Sequence, residues 1–491
     1  MAARKRLRSV AAVAVLGLAG VLAVTGFGTQ RSPTRGDARA LPAARAGVTA
    51  AASGWDKAVT LRGQTVPPSA ISCSSPGNCT ADGPGGKGYV VSQVRGKWGS
   101  PEVIPGTART RHPSASPGDI VCFSGGCVVV GSYTDTAGHS QAFIVSQAHG
   151  TWGKLIWVPG LARLDLGHNA SLGQLWCPSA GNCTAAGSYT DAKGAGHPFV
   201  VAEVHGSWGS AVQVPLPTGL PGQLGGTTAG LGPISCPAPG DCSATGSYTV
   251  NGGDQLYVIS LADGTWGSAI PLPESAAQNT GLEAFVNAIS CPSPGNCAAG
   301  GYYWTSTQFQ DAFVANEVNG TWQDAIIVPG TSDNSDAWIS SISCPSANNC
   351  GAGGIDDYEN TERPFGSVFV VNEVRGVWQN ALPIPGTNAL NIGDDASVSA
   401  ISCTNAWNCG LGGYYTPGNA EPYPYWEAFV VSEVHGTWST AIEVQGTGTE
   451  NTAINASTTV ISCVAPSLSC AAGGYFDNNN TGYHAFVVSK P

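Results

Sequence analysis

The chain has 491 residues, of which 11% are charged, 67 are glycine, 14 are tryptophan and one is methionine. Its 42% apolar content can bury a core and excludes a disordered chain, and glycines without a three-residue period exclude collagen. Eight basic groups and one acid precede Gly54, leaving 13 basic against 31 acidic residues, a balance that excludes nucleic acid as a partner.

Arg4, Lys5, Arg6 and Arg8 lead into an uncharged run from Val10 to Gly28. A basic n-region followed by such a run reads as an export signal, cleaved or retained as a membrane anchor, over residues 1–28. Residues 29–53, made largely of Ala, Arg, Gly and Pro, read as a flexible linker. The expected location is secreted or at the cell surface, with the membrane met only through the N-terminal segment if that segment is uncleaved.

From Gly54 the chain aligns with itself. Its sixteen cysteines form eight close pairs: Cys73 with Cys79, Cys122 with Cys127, Cys177 with Cys183, Cys236 with Cys242, Cys291 with Cys297, Cys344 with Cys350, Cys403 with Cys409, and Cys463 with Cys470. First cysteines recur about every 56 residues, a period of solenoids, propellers and arrays. Each unit reads I-S-C-P-S-x-G-N-C, A-A-G-G-Y-Y-T, a variable stretch, then A-F-V-V-S-E-V-H-G-T-W-G-S-A-I-x-V-P-G. These are four short β-rich runs separated by turn residues. The third and fourth meet at a two-residue loop ending in Gly, as at Asn319-Gly320, which predicts a type I′ hairpin. With Val434 opposite Thr437, that turn predicts Glu433 opposite Trp438 and Phe429 opposite Ile442, and one sheet face carrying Phe429, Val431, Trp438 and Ile442. An aromatic stands nine residues before each such Trp (Tyr89, Phe143, Phe199, Tyr257, Phe313, Phe369, Phe429) and is expected to be core.

The last unit stops after its third strand at Ala485–Ser489, whereas Trp55–Gly63 is a fourth strand with no unit before it. A strand missing at one end and surplus at the other closes a ring and removes the exposed edges of an open array. The reading is therefore all-β: one eight-bladed β-propeller over residues 54–491, four strands to a blade, with the N-terminal strand completing the last blade. Regularly paired cysteines in an exported chain imply eight local disulfides, each contributing roughly 2 to 2.5 kcal/mol by loop entropy. Zinc fails on partners, because the eight His do not recur beside the pairs and one pair supplies two ligands.

An up-and-down blade puts the Cys loop and the His-Gly turn on one face. The connection after the second strand and the link to the next blade lie on the other, and the length variation is concentrated there. Variable loops on a rigid scaffold commonly carry binding. Tyr133, Tyr189, Tyr248, Tyr303, Tyr415 and Phe476 recur six residues after the second Cys and are expected to close each blade core. The non-recurring Trp304, Tyr358, Tyr423 and Tyr425, with Tyr302, Tyr414, Asp356 and Asp357, are the candidate ligand residues, suited to stacking on sugar faces or docking a protein. Paired acids, Asp356 with Asp357 and Asp394 with Asp395, could also serve as general acid and base or hold calcium. No H-E-x-x-H, P-loop or EF-hand spacing occurs, and no cofactor or metal is expected.

The turn Ser432-Glu433-Val434-His435-Gly436-Thr437-Trp438 resembles the Asp-box of sialidase-type propellers, one residue short and with Val434 where the Asp belongs. Eight blades with a Trp in each resemble quinoprotein dehydrogenases, whose adjacent cysteine pair and docking motif are missing. Over nearly all of the chain after the linker, the I-S-C-x5-C and A-F-V-V-S-E-x-x-G-T-W units are similar to secreted actinobacterial repeat proteins. That resemblance implies export and a propeller and leaves the activity open. The sequence reading is a monomeric, non-enzymatic binding scaffold for cell-envelope glycan, an extracellular polymer or a protein. Its alternative is an extracellular glycoside hydrolase or lyase using loop carboxylates.

Overall fold

The computed structural model describes residues 54–491 except 108–113, 221–228, 251–252, 282, 306–308, 332–334, 358–366, 394, 419–424, 452–454 and 479–481. The expected signal and linker, and with them Tyr358, Tyr423 and Asp394, lie outside the described residues. Each repeat forms one blade, and blade 7 is representative. Its strands run over Ala396–Asn405, Asn408–Tyr415 and Glu427–Val434, with a fourth split into Thr437–Trp438 and Ile442–Glu443. They pair antiparallel in sequence order, as do the strands of six other sheets, while in the eighth the strand Val59–Thr60 takes the fourth place. First strands touch the first strands of both neighbouring blades all the way round, so they surround the axis and the fourth strands form the rim.

The third and fourth strands meet in the expected turn. Arg95, His149, His205, Asp263, Asn319, Arg375 and His435 all have φ near +50°, each followed by a glycine with φ near +80°. Their backbone is held from below by the Cys loop. The Asn78, Asn182, Asn296, Asn349 and Asn408 carboxamides accept the turn N–H at 2.8–3.3 Å, and Asp241 does the same in blade 4. This explains why G-N-C repeats: the Asn side chain joins two loops of one face.

One register expectation is corrected. Glu433 faces Trp438, but Phe429 faces Glu443 and Val430 faces Ile442. An extra residue between the two halves of the fourth strand shifts the register by one and flips everything after it. Trp438 stays on the Phe429 and Val431 side, while Ile442 turns to the opposite side with Val430 and Val444. The recurring aromatics themselves are core; Phe143, Phe199, Tyr257, Phe313, Phe429 and Phe486 are fully buried.

The ring closes as the ends of the repeat require. Val59 and Thr60 pair with Val487 and Phe486, and Trp55 is buried in the last core against Phe486 and Val488. The borrowed strand also reproduces a bond between blades. The Ala211, Ala325, Ala381 and Ala441 N–H groups donate to the carbonyls of Pro159, Pro273, Pro329 and Pro385 one blade back, and Ala58 donates to Gln445 in the same way.

Two further sets of bonds cross the seams. Near the axis, the serine of I-S-C accepts the amide of the next blade's first cysteine. Ser72 accepts from Cys122, Ser235 from Cys291, Ser290 from Cys344, Ser343 from Cys403, Ser402 from Cys463 and Ser462 from Cys73, at 2.9–3.1 Å. Farther out, a Ser or Asn of the second or third strand meets the next blade's Glu, Gln or Trp. Asn316 donates to Glu373, Asn372 to Glu433, Gln93 and Trp98 to Ser489, Trp55 to Ser432, and Ser243 and Ser260 to Glu317.

Each disulfide joins the two cysteines of one blade. Cys73 bonds Cys79, Cys122 bonds Cys127, Cys177 bonds Cys183 and Cys236 bonds Cys242. In the other half of the ring Cys291 bonds Cys297, Cys344 bonds Cys350, Cys403 bonds Cys409 and Cys463 bonds Cys470. No free cysteine remains among the described residues. The second cysteines, Cys183, Cys242, Cys297, Cys350 and Cys409 among them, are buried in the blade cores, as structural staples are. They sit at the seams as well. A Cβ on Gly410 would stand 2.6 Å from the sulfur of Cys463 in the next blade, so a side chain here would have to displace that disulfide. Eight such bonds belong to an oxidising environment.

The sequence pattern did not show the short helices in the links, Ser275–Gln278, Thr387–Leu390 and Thr447–Glu450. Each opens at a Ser or Thr whose hydroxyl donates back to the carbonyl three residues earlier.

Two measurements test the fold. Removing Gly54 to Gly63 leaves an apolar edge on blade 8 and Phe486 without its Trp, a loss of several kcal/mol against roughly 5 to 15 for a whole domain. The truncated chain should aggregate or melt far below the parent; equal melting temperatures would refute closure by this strand. The seam glutamates make the second prediction. Burial pushes Glu373 and Glu433 up to about 7, against smaller lowering by Asn316 and Asn372. A raised acid holds its proton longer folded than unfolded, so its contribution is complete below the unfolded pKa and is lost as pH rises through about 7. The melting temperature should fall between pH 5 and pH 8, and Glu433→Gln should flatten part of that slope.

Candidate functional site

The face opposite the Cys loops is built by the ends of the second strands, the starts of the third strands and the links. Backbone bonds tie them together: Gly167 to Thr190, Gly281 to Trp304 and Gly393 to Thr416. In blade 7 one side chain organises the corner. The carboxamide oxygen of buried Asn391, directly after the link helix, accepts the N–H groups of Asp395 and Thr416 at 3.0 and 3.1 Å. Asn451 holds the far side by donating to the Trp426 carbonyl.

So fixed, Asp395 accepts the Trp426 indole N–H at 2.9 Å, and the Trp426 ring stacks on Tyr414 with centroids 4.4 Å apart. Asp395 and Ser397 both act on the Tyr414 hydroxyl, Asp395 raising the phenol and Ser397 lowering it. Burial raises Asp395 above the ordinary carboxylate range; the Trp426 bond opposes this and the charge of Asp357, from blade 6, adds to it. Burial likewise raises the Tyr414 phenol, with Asp395 the next cause and Tyr475 of blade 8 a smaller one. Tyr475 in turn meets Tyr483 edge-on at 5.5 Å, and Tyr483 is exposed. The result is a run of Asp357, Asp395, Trp426, Tyr414, Tyr475 and Tyr483 across three blades: three half-buried aromatic rings and one exposed one beside two carboxylates. Such a surface can stack on sugar rings or on side chains of a partner and accept hydrogen bonds along its edge.

The expected residues are sorted by the structure. Tyr414 and Asp357 join this run, and half-buried Tyr425 directly precedes Trp426 in the chain. Asp356 takes the place of the recurring Tyr in blade 6, where it is buried and accepts the Ser335 hydroxyl at 2.6 Å. Tyr302 belongs to a separate patch in blade 5, stacked at 6.2 Å on exposed Phe285. Its phenol is raised by burial first and then by the charge of Glu283. Trp304 is half-buried over the link, so near Gly281 that a Cβ there would stand 2.6 Å from its own. The six recurring aromatics are blade core, all buried. Several of their hydroxyls reach outward: Tyr189 to Gln213, Tyr303 to Gln278, and Tyr133 accepting from Trp157. Trp426, Tyr475 and Tyr483 escaped the sequence reading. Tyr475 was detectable, since it stands five residues after its second Cys, as Tyr302 and Tyr414 do.

Two open clefts among the described residues flank blade 1 at its seams with blades 8 and 2, and neither includes a residue of this run. No group of three or more His, Cys, Asp or Glu among the described residues could hold a metal ion.

The sequence matches no family model and no curated protein. Solved structures similar to it include Chaetomium thermophilum Sqt1, at 14% identity and TM-score 0.50, over 88% of this chain and 97% of that one. A polysaccharide lyase, an ulvan lyase, matches at 11% identity and TM-score 0.35, over 80% of this chain and 94% of that one. A subtype N11 neuraminidase-like protein matches at 9% identity and TM-score 0.37, over 89% and 94%. The likeness is one of fold.

Trp426→Phe removes the indole N–H from Asp395 and keeps an aromatic ring. Because that bond opposes the upward shift, the Asp395 carboxyl should titrate at still higher pH in the variant, as followed by carboxyl-carbon NMR. An unchanged or lower titration would show that the bond does not hold Asp395.

Proposed function

We propose that the protein is an exported binding scaffold that presents its variable face to cell-envelope glycan, an extracellular polymer or a protein. The observation that carries this is the aromatic and carboxylate run over blades 6 to 8. It is assembled by repeat-specific residues on a frame whose recurring residues are already accounted for as core and seam. Eight disulfides support an oxidising location, and no described helix is long and apolar enough to cross a membrane. In this reading the chain acts as a monomer, and the segment ahead of Gly54 directs or anchors it.

A second reading has one observation behind it. A half-buried carboxylate raised by burial and by a neighbouring acid, as Asp395 is beside Asp357, is how a general acid is made, and a hydrolase or lyase would use the pair. A glycan and polymer array with purified protein, run beside a product assay on the same polymers, separates the two. Binding without product is expected, with Trp426→Ala weakening it by about tenfold or more at an unchanged fold, as for a central aromatic contact. Product formation abolished by Asp395→Asn would establish the enzyme instead. Binding unaffected by Trp426→Ala would move the site elsewhere on the ring.

A further inference from the structure

The face carrying the Cys loops and hairpin turns is uniform in backbone and distinctive in side chains. The seven turn residues with positive φ are Arg95, His149, His205, Asp263, Asn319, Arg375 and His435, all with side chains at the surface. Asn and Asp suit that backbone and Arg suits it poorly, yet the fold uses only the N–H of this residue, which the Cys-loop Asn or Asp caps in most blades. The side chains are therefore not set by folding. Five of the seven are Arg or His, and exposed Lys97 follows the first turn, in a chain with more than twice as many acids as bases after Gly54. Acids at this end are Asp263 over Asp241 in blade 4, Asp324 in blade 5 and Asp56. Apolar side chains lie between the basic ones. Val94, Val204, Val377 and Val434 are 42–61% exposed in the same turns, and Trp407, 46% exposed, lies against the turn glycine Gly436.

The chain enters on this face. Asp56 donates its N–H to Ser489, Gly54 packs near Lys490, and Lys490 pairs with Cys470 of the last Cys loop. The 25 residues before Gly54, and the uncharged run Val10 to Gly28 among the residues ahead of it, therefore lead to the turn side of the ring.

We propose that the turn face docks on a bilayer containing anionic lipid, with Arg95, Lys97 and Arg375 over headgroups and Trp407 and the turn valines at the interface. Basic residues beside exposed aliphatic groups and a Trp are the composition of an interfacial surface, and each basic residue near an anionic membrane adds about fivefold to the affinity. The acid-rich variable face is turned away from the bilayer by its own charge.

The test uses the full chain on vesicles with brominated acyl chains, either pure phosphatidylcholine or with about a third phosphatidylglycerol, the range over which such basic patches respond. No Trp precedes Trp55, so quenching reports the propeller and not the N-terminal segment. Expected are quenching on the anionic vesicles that is lost in Trp407→Phe and suppressed by salt, and little on neutral ones. Arg95→Glu with Arg375→Glu should weaken the docked state about 25-fold or more, two charges at about 1 kcal/mol each, with an unchanged melting temperature. Equal quenching on both vesicles, or quenching that survives Trp407→Phe and falls with Trp157→Phe, would overturn the proposal. So would polyphosphate binding lost in the double variant with no vesicle quenching, which would assign the face to a soluble polyanion.

Discussion

The ring depends on its seams, and near the axis six of the eight are closed by one repeated bond, a cysteine amide donating to the serine hydroxyl of the blade before. The disulfide and the serine act together. The disulfide pins the first two strands of a blade at the Cys loop, which fixes where that amide points. The serine then sets the angle to the next blade. Where Val121 replaces the serine, the Asp119 carboxylate takes the neighbouring amide of Leu175 instead. Where Trp176 replaces it, the indole packs into the core of blade 4, and the outer pair at that seam is Ala202 and Leu261 where most others have Ser or Asn and Glu or Gln. The seam between blades 3 and 4 thus exchanges polar bridging for apolar packing at two levels at once.

What could be read from the sequence was whatever one repeat holds within itself. The four strands, the I′ turn, the disulfide and the missing final strand all concern residues of one unit or the two ends of the series. A pair such as Cys350 with Cys344, or Cys409 with Cys403, is local in the chain and so visible in it. The seam bonds were harder to see because each joins unlike positions of consecutive units, Ser402 to Cys463 or Asn372 to Glu433. The register error had a smaller cause: one extra residue in the fourth strand sends Ile442 to the other core, and no turn signal marks it. The site was partly legible for a related reason. Residues absent from the repeat, such as Tyr425, pointed toward the right corner, but the stacking of Tyr414 on Trp426 and the placing of Asp395 by Asn391 depend on a link helix too short to leave a period.

The two faces of the disc follow from the same economy. The turn face is capped by the Cys-loop side chains in blade after blade, so its exposed positions are free to carry a charge pattern. The other face is capped from the links by Asn279, Asn391 and Asn451 and, in one link, by Asp165, while the loops they hold differ in length and sequence from blade to blade.

The closing strand has a mechanical meaning. A tether attached ahead of Gly54 would not pull on a dispensable tail, because its load would pass directly into the two-residue pairing of Val59 and Thr60 with the last blade. Trp55, held by Ser432 and buried against Phe486, is the first side chain in that path and acts as the cleat. Tension strong enough to draw it out would open the ring at one defined joint, while the disulfide inside every blade would keep each sheet intact. Under such a load the joint that gives is the one where the chain enters, held by Trp55 and the pairing of Val59 and Thr60.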